Sequence, residues 1–301
     1  MVPELPKRPR RSHKGDYGKG LLIGGSRGMA GAISLAGQAC LKSGAGLLKI
    51  ATTLESLPIV ASFDPCYMTT VLAHDNKGLI SDQGSQEIRE LAEDSSAIGI
   101  GPGMGVSDEL VALTTWAYSQ VTAPMVFDAD ALNCLAQNPD CLIKPGGPRI
   151  LTPHLGELRR LLDDEVSSPR ELRYRAESLA REAGVIFVLK GHRSLITSGL
   201  KKIQNSTGNS GMATGGSGDV LTGIIVAFLC QKMDAFQAAH LGCLVHGLAG
   251  DAGARRIGKI SLTAADIVHF IPKAIRAVRR KERKKRFSKK QDVNAPEQPL
   301  G

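Results

Sequence analysis

Along this chain, short apolar runs give way repeatedly to a glycine, aspartate or proline turn and then to a stretch of helical length. "GLLIGG" (20–25) leads into "AGAISLAGQACLKSG" (30–44), and "LLKIAT" (47–52) follows. "AIGIGPG" (97–103) leads into "SDELVALTTWAYSQV" (107–121). "PMVFDADALNCLAQ" (124–137), "RILTPHLGELRRLL" (149–162) and "VIFVLKG" (185–191) continue the series. "SLITSG" and "KKIQN" (194–205) predict a hairpin, while "GDVLTGIIVAFLCQ" (218–231) and "AFQAAHLGCLVHGLAGDAGARR" (235–256) predict consecutive helices. Strands alternating with long helices argue for an α/β fold, a central, mainly parallel sheet flanked by helices on both faces. The reading is one domain over residues 14–280, a basic extension at 1–13 and a basic, disordered tail at 281–301.

In such a sheet ligands bind beyond the carboxyl ends of the strands, where turns open into helix N-termini. The barest turn is "GNSGMATGGSGD" (208–219). Its glycines permit positive φ and close backbone approach, so the N–H groups of Gly216, Ser217 and Gly218 can converge as an anion hole. Gly215 extends the same loop. Asp219, at the start of the next helix, would be an N-cap in most proteins. Beside a phosphate cradle it can instead take a proton from an attacking hydroxyl. A carboxylate facing a phosphate needs compensation, which points to Mg²⁺ in the site.

Other strand ends are weaker candidates. Asp128 and Asp130 in "VFDADALN" suit either Mg²⁺ held through water or helix capping. Thr152, His154 and Glu157 share one turn in "LTPHLGEL", where His154 can meet a ligand. Lys190 ends a very apolar strand and suits either a nucleotide phosphate or a snorkelling position. His240 and His246 lie on an apolar helix and read as satisfied core histidines. "GIGPGMG" (99–105) lacks the arrangement of a dinucleotide fingerprint, and no GxxxxGK[ST], GxSxG or HExxH is present.

Charge changes this picture only at one end. Of the formal +9, residues 273–290 contribute eleven Lys/Arg against one Glu, leaving the body nearly neutral. A solvated tail is the favoured reading, and an anchor for nucleic acid or anionic lipid the alternative. Six scattered cysteines without CxxC spacing read as reduced thiols. The absence of a long apolar run or signal-like segment suggests a cytoplasmic protein.

Taken in order, "KGDYGKGLLIGGSRGMAGA", "SGAGL", "AIGIGPGMG", "VFDADALN", "ILTPHLGEL", "VLKGH", "NSTGNSGMATGGSGDVLTGI" and "HGLAGD" resemble the ADP/ATP-dependent NAD(P)H-hydrate dehydratases. That resemblance implies a ribokinase-like fold and repair of the hydrated nucleotides NADHX and NADPHX. Phosphorylation of the C6 hydroxyl by ADP or ATP precedes elimination of phosphate. It also implies that Ala32, Gly103, His154 and Asp219 contact the hydrate. Lys190, Gly191, His192, Arg193, Ser194 and Gly218 would contact the adenine nucleotide, with Asp219 as base. Mg²⁺, a homotetramer and a separate epimerase protein complete the expectation. The sequence departs from the family wording at Leu155 and at "KGHRS". The alternatives are a small-molecule kinase of the hydroxymethylpyrimidine or thiazole kinase type, and a nucleotide-sensing or RNA-tethered protein using the tail.

Overall fold

Nine strands form one sheet in the order β3-β2-β1-β4-β5-β6-β7-β8-β9 in the computed structural model, which describes residues 2–164 and 168–293. The strands are β1 (Lys19–Ile23), β2 (Leu47–Thr53), β3 (Met68–Leu72), β4 (Ala97–Ile100), β5 (Met125–Phe127), β6 (Arg149–Leu151), β7 (Ile186–Leu189), β8 (Leu195–Thr197) and β9 (Lys202–Gln204). All pairings from β3 through β7 are parallel, and the expected hairpin supplies the antiparallel β8 and β9.

Residue alternation along the strands explains why their sequences read as continuous apolar runs. In β1, Leu22 enters one core while Leu21 and Ile23 enter another on the opposite face. The first core is closed by α1 (Ala30–Lys42), α8 (Ser217–Cys230), α9 (Ala235–Ile257) and α10 (Ala264–Val293). The second is closed by α3 (Asp82–Glu93), α4 (Asp108–Gln120), α5 (Asp130–Leu135), α6 (Leu155–Leu161) and α7 (Pro169–Ala183). The short α2 (Leu57–Phe63) sends Val60 to the first core. Helices α1 and α8 cross closely because Gly223 has no side chain: a Cβ there would lie 2.0 Å from the Ala36 carbonyl oxygen.

Several elements were not expected. The half-exposed edge strand β3 carries threonines where an apolar run would have marked it. Helix α7 is set by local chemistry, a Ser168–Glu171 capping box at its start and Gly184 in the left-handed region at its end. The tail expected from residue 281 begins as a continuation of α10, helical to Val293. Lysine and arginine are good helix formers, so the basic block extends a helix already nucleated against the core. Residues 294–301 of that tail lie outside the described residues.

The chain runs outward from β1 to β3 and then returns to place β4 on the other side of β1. Strand order therefore reverses between β1 and β4, and the crevice outside a parallel sheet opens at such a reversal.

Candidate functional site

Two loops flank that reversal. The Gly25 N–H donates to the Pro102 carbonyl at 3.0 Å, and the Ser26 N–H to the Gly103 carbonyl at 2.6 Å. Gly103 has φ +61, and a Cβ on it would lie 3.2 Å from the Ala32 Cβ. Ala32 and Gly103, placed far apart by sequence, therefore adjoin.

The glycine loop arrives at the same sheet edge from α8. Gly216 occupies the N-cap with φ +85, a left-handed position that suits glycine, and no side chain caps the helix. Among the described residues, the N–H groups of Gly216, Gly218 and Asp219 have no hydrogen-bond acceptor. Together with the helix N-terminus they form the donor set an anion requires. The loop is held against α9: the Gly208 N–H and Asn209 Nδ2 donate to Asp251 at 3.0 and 2.9 Å. Asn205 Nδ2 donates to the Thr207 and Cys243 carbonyls, each at 3.2 Å.

Behind these N–H groups lies a buried charged cluster. Asp128 is 1% exposed. Its Oδ1 accepts from Lys190 Nζ at 2.7 Å and from Thr152 Oγ1 at 2.8 Å, and its Oδ2 from Thr222 Oγ1 at 2.7 Å. Burial alone would raise the Asp128 pKa, but the Lys190 charge and these hydrogen bonds outweigh it and hold the carboxyl below its ordinary range. Glu157 lies 3.5 Å from Lys190 Nζ, and its pKa is raised, first by burial. Burial pulls the Lys190 pKa down, yet Asp128 and Glu157 more than compensate and keep it a cation.

Asp219 is half-buried on the first turn of α8 and stands apart in its titration. Burial, then the Asp128 charge, pushes its carboxyl up to about 7, with Lys190 opposing and Asp130 and Glu157 adding. A carboxylate that titrates near neutrality beside unsatisfied N–H groups can accept a proton while an anion is held next to it.

The other candidate residues take defined places. His154 caps α6: its Nδ1 accepts from the Gly156 and Glu157 N–H groups at 3.0 and 3.2 Å, while its side chain remains 54% exposed. Asp130 braces Gly105, whose N–H donates to Oδ2 at 2.8 Å. Gly191, His192 and Arg193 form an exposed turn after β7, leading to Ser194, which is partly covered. Gly218 stands over Lys190, since a Cβ there would lie 3.3 Å from Nζ. Lys190 turns inward to Asp128 and keeps 19% of its side chain exposed.

Sequence reasoning missed Thr222, His246 and Asp251. Thr222 sits one helical turn after Asp219, a spacing that could have revealed it. His246, read as a core residue, has its Nε2 3.3 Å from Ser217 Oγ, and burial lowers its pKa to about 4. His240 is indeed buried. Among the described residues, no group of three His, Cys, Asp or Glu is disposed to hold a metal ion. Asp128 is buried and accepts three hydrogen bonds, whereas Asp219 is partly exposed on the first turn of α8.

A family model described as NAD(P)H-hydrate dehydratase matches residues 20–273. A bifunctional NAD(P)H-hydrate repair enzyme of Moorella thermoacetica is 40% identical over 275 residues, covering 91% of this chain and 52% of that protein. A bifunctional NAD(P)H-hydrate repair enzyme of Leishmania major is 34% identical over 90% of this chain and 51% of its own length. The chain thus spans about half the length of these curated relatives. Among solved structures, the ADP/ATP-dependent NAD(P)H-hydrate dehydratase of Bacillus subtilis, co-crystallized with ATP/Mg²⁺, superposes with a TM-score of 0.77. It is 29% identical over 91% of this chain and 94% of that one. A ribokinase-like superfamily protein of Enterococcus faecalis superposes with a TM-score of 0.76 at 26% identity, over 91% and 92% of the two chains. The fold is ribokinase-like, and with a match that spans both flanking loops, the buried Asp128 cluster and the α8 anion hole, the chain belongs to the NAD(P)H-hydrate dehydratase family.

Proposed function

We propose that this chain dehydrates NADHX and NADPHX at the expense of ADP or ATP, restoring the reduced nicotinamide. The observation that carries the reading is Asp219, a carboxylate with a pKa of about 7 on a helix N-terminus whose N–H groups await an anion. The hydrate's C6 hydroxyl gives its proton to Asp219 as its oxygen attacks the terminal phosphorus of the nucleotide, whose bond to the bridging oxygen breaks to release AMP from ADP or ADP from ATP. The N–H groups of Gly216, Gly218 and Asp219 hold the phosphoryl oxygens through the transfer, whereas the Ser217 N–H, expected in the same set, donates to the Thr214 carbonyl at 3.4 Å. Phosphate then leaves with the electrons of the C6–O bond, a proton is lost from C5, and the C5–C6 double bond returns.

Ala32, Gly103 and His154 are assigned to the hydrate. Lys190 and the Gly191–Ser194 turn are assigned, with Gly218, to the nucleotide. Mg²⁺ fits a site with one available carboxylate when it travels on nucleotide phosphates, as is usual for this ion, and it would neutralise charge there. Tetrameric assembly, an epimerase acting on the other hydrate epimer and a cytoplasmic location belong to the same proposal. No helix among the described residues is long and apolar enough to cross a membrane.

Recovery of absorbance at 340 nm from NADHX, with Mg²⁺ and either ADP or ATP, tests the reading. A rise that Asp219→Asn abolishes supports it. A stable phosphate ester without a rise would favour the kinase reading instead. The fold alone also allows that reading, since a hydroxyethylthiazole kinase of Pyrococcus horikoshii superposes with a TM-score of 0.53 at 16% identity.

A further inference from the structure

Two stretches from opposite ends of the chain meet at the pole facing away from the candidate site. The N-terminal arm buries Leu5 in the first core, and the Leu5 N–H donates to Glu282 Oε1 at 2.6 Å. The arm then crosses the C-terminal end of α1, where Arg8 hydrogen-bonds the Gly44 carbonyl and lies 3.8 Å from the Tyr17 ring centroid. These contacts fix it where β1 and β2 begin, whereas Gly216–Asp219 lies where strands end.

Along this arm Lys7, Arg8, Arg10 and Arg11 are exposed. On α10, Val278 is buried, but Arg279, Arg280, Lys281 and Arg283 are all exposed. Successive helical residues turn by about 100°, so Val278 and the half-buried Glu282 mark the packed face of α10 and these four cations cover the rest of its circumference. The single acid within residues 273–290, Glu282, is occupied by the Leu5 N–H. None of these arm or α10 cations forms an ion pair among the described residues.

The chemistry of this pole selects among polyanions. Membrane-surface helices need an apolar face, and "RRKERKKRFSKK" (279–290) holds one large apolar residue, Phe287. Single-stranded nucleic acid is bound on aromatic stacking platforms, which the segment lacks for the same reason. A basic helix does match the width of the B-DNA major groove, while the narrow A-form groove excludes side chains. We propose that the N-terminal arm and the outer part of α10 form one docking surface for double-stranded DNA. The surface engages phosphates without reading sequence and leaves the opposite pole open to small molecules.

The test is fluorescence anisotropy of the full chain with a labelled DNA duplex of arbitrary sequence, in a salt series, beside duplex RNA and phosphatidylglycerol vesicles. The expected outcome is DNA binding whose log affinity falls with log salt at a slope of about −5, as for roughly six neutralised phosphates. Arg10→Glu/Arg11→Glu in the arm and Arg279→Glu/Arg280→Glu on α10 should each weaken it about tenfold or more, because both pairs lie on the phosphate track. Circular dichroism and thermal melting confirm that each variant is folded. No binding at low salt overturns the proposal. So does tighter binding of RNA or vesicles, or weakening by the α10 pair alone.

Discussion

Lys190 Nζ lies 2.7 Å from Asp128 Oδ1, with the carboxylate buried and the lysine side chain only partly exposed. Removing Lys190 leaves the Asp128 carboxylate buried without a counter-charge, and removing Asp128 leaves Lys190 with Glu157 alone, at 3.5 Å. Asp128→Ala is expected to destabilise the fold by about 3–5 kcal/mol, read as a fall in the denaturant midpoint. Lys190→Met should do the same. The double variant should lose less than the sum, with a coupling of roughly 1–3 kcal/mol. Additive losses would show that the pair is not a unit. Because the Asp128 pKa is depressed, its share of stability is present above the ordinary carboxylate range and is lost as pH falls below it.

Asp219 has the opposite sign. Its folded pKa is raised to about 7, so the protonated form is favoured by the fold, and stability declines as pH climbs from the ordinary aspartate range through 7. The base works only when ionised, so the turnover rate should rise with pH to a plateau, with a midpoint near 7. Asp219→Asn should lower kcat by about 10²–10⁴. The same change should raise stability at pH 8 by about 1–2 kcal/mol, a figure reduced for partial exposure. A flat pH profile between 5 and 9 would count against this role.

Ser217 Oγ and His246 Nε2 are 3.3 Å apart, and the imidazole is kept neutral down to about pH 4. A ring that donates to the hydroxyl would leave it to donate in turn to a phosphoryl oxygen, the arrangement the next variants test. His246→Ala should reduce kcat about tenfold with little change in KM, as for loss of one hydrogen bond made in the transition state. Ser217→Ala should match it, and the pair should be non-additive. Equal rises in KM with kcat intact would mean a ground-state contact instead.

Gly247 on α9 makes room for the loop, since a Cβ there would lie 2.2 Å from Thr207 Oγ1. Gly247→Ala should push that loop off the helix and disorder the anion hole, while the sheet and its helices persist. Activity should drop well before stability does, and hydrogen exchange should rise over residues 205–216 first. An unchanged exchange pattern would refute the packing argument.

How much of this was legible in the sequence varies with the physics of each element. Buried parallel strands announce themselves as apolar runs, so β1, β4, β5 and β7 and their helices were readable. The Gly216–Asp219 loop was readable because glycine clusters have a local conformational cause. Edge strand β3 was not, because Thr69 and Thr70 lack the apolar signature. Helix α7 depends on caps at Ser168 and Gly184 rather than on a strong apolar run. The inward turn of Lys190, the role of Thr222 and the reach of His246 to Ser217 depend on pairings between distant elements. No local pattern encodes them.

The partners of Asp128 lie 24, 62 and 94 positions further along the chain, at Thr152, Lys190 and Thr222. Contacts of such separation close large loops at an entropic cost, so this cluster joins parts of the chain that no local element brings together. A chain synthesised only through Lys190 holds Asp128, Thr152 and Lys190 but not yet Thr222, the remaining hydroxyl. Competence for chemistry then arrives with α8, when the helix that presents Asp219 also brings Thr222 to complete the shell. The proposed base, Asp219, and the residue that completes the Asp128 shell, Thr222, are thereby carried by one helix, so the site gains its proton acceptor only together with its scaffold.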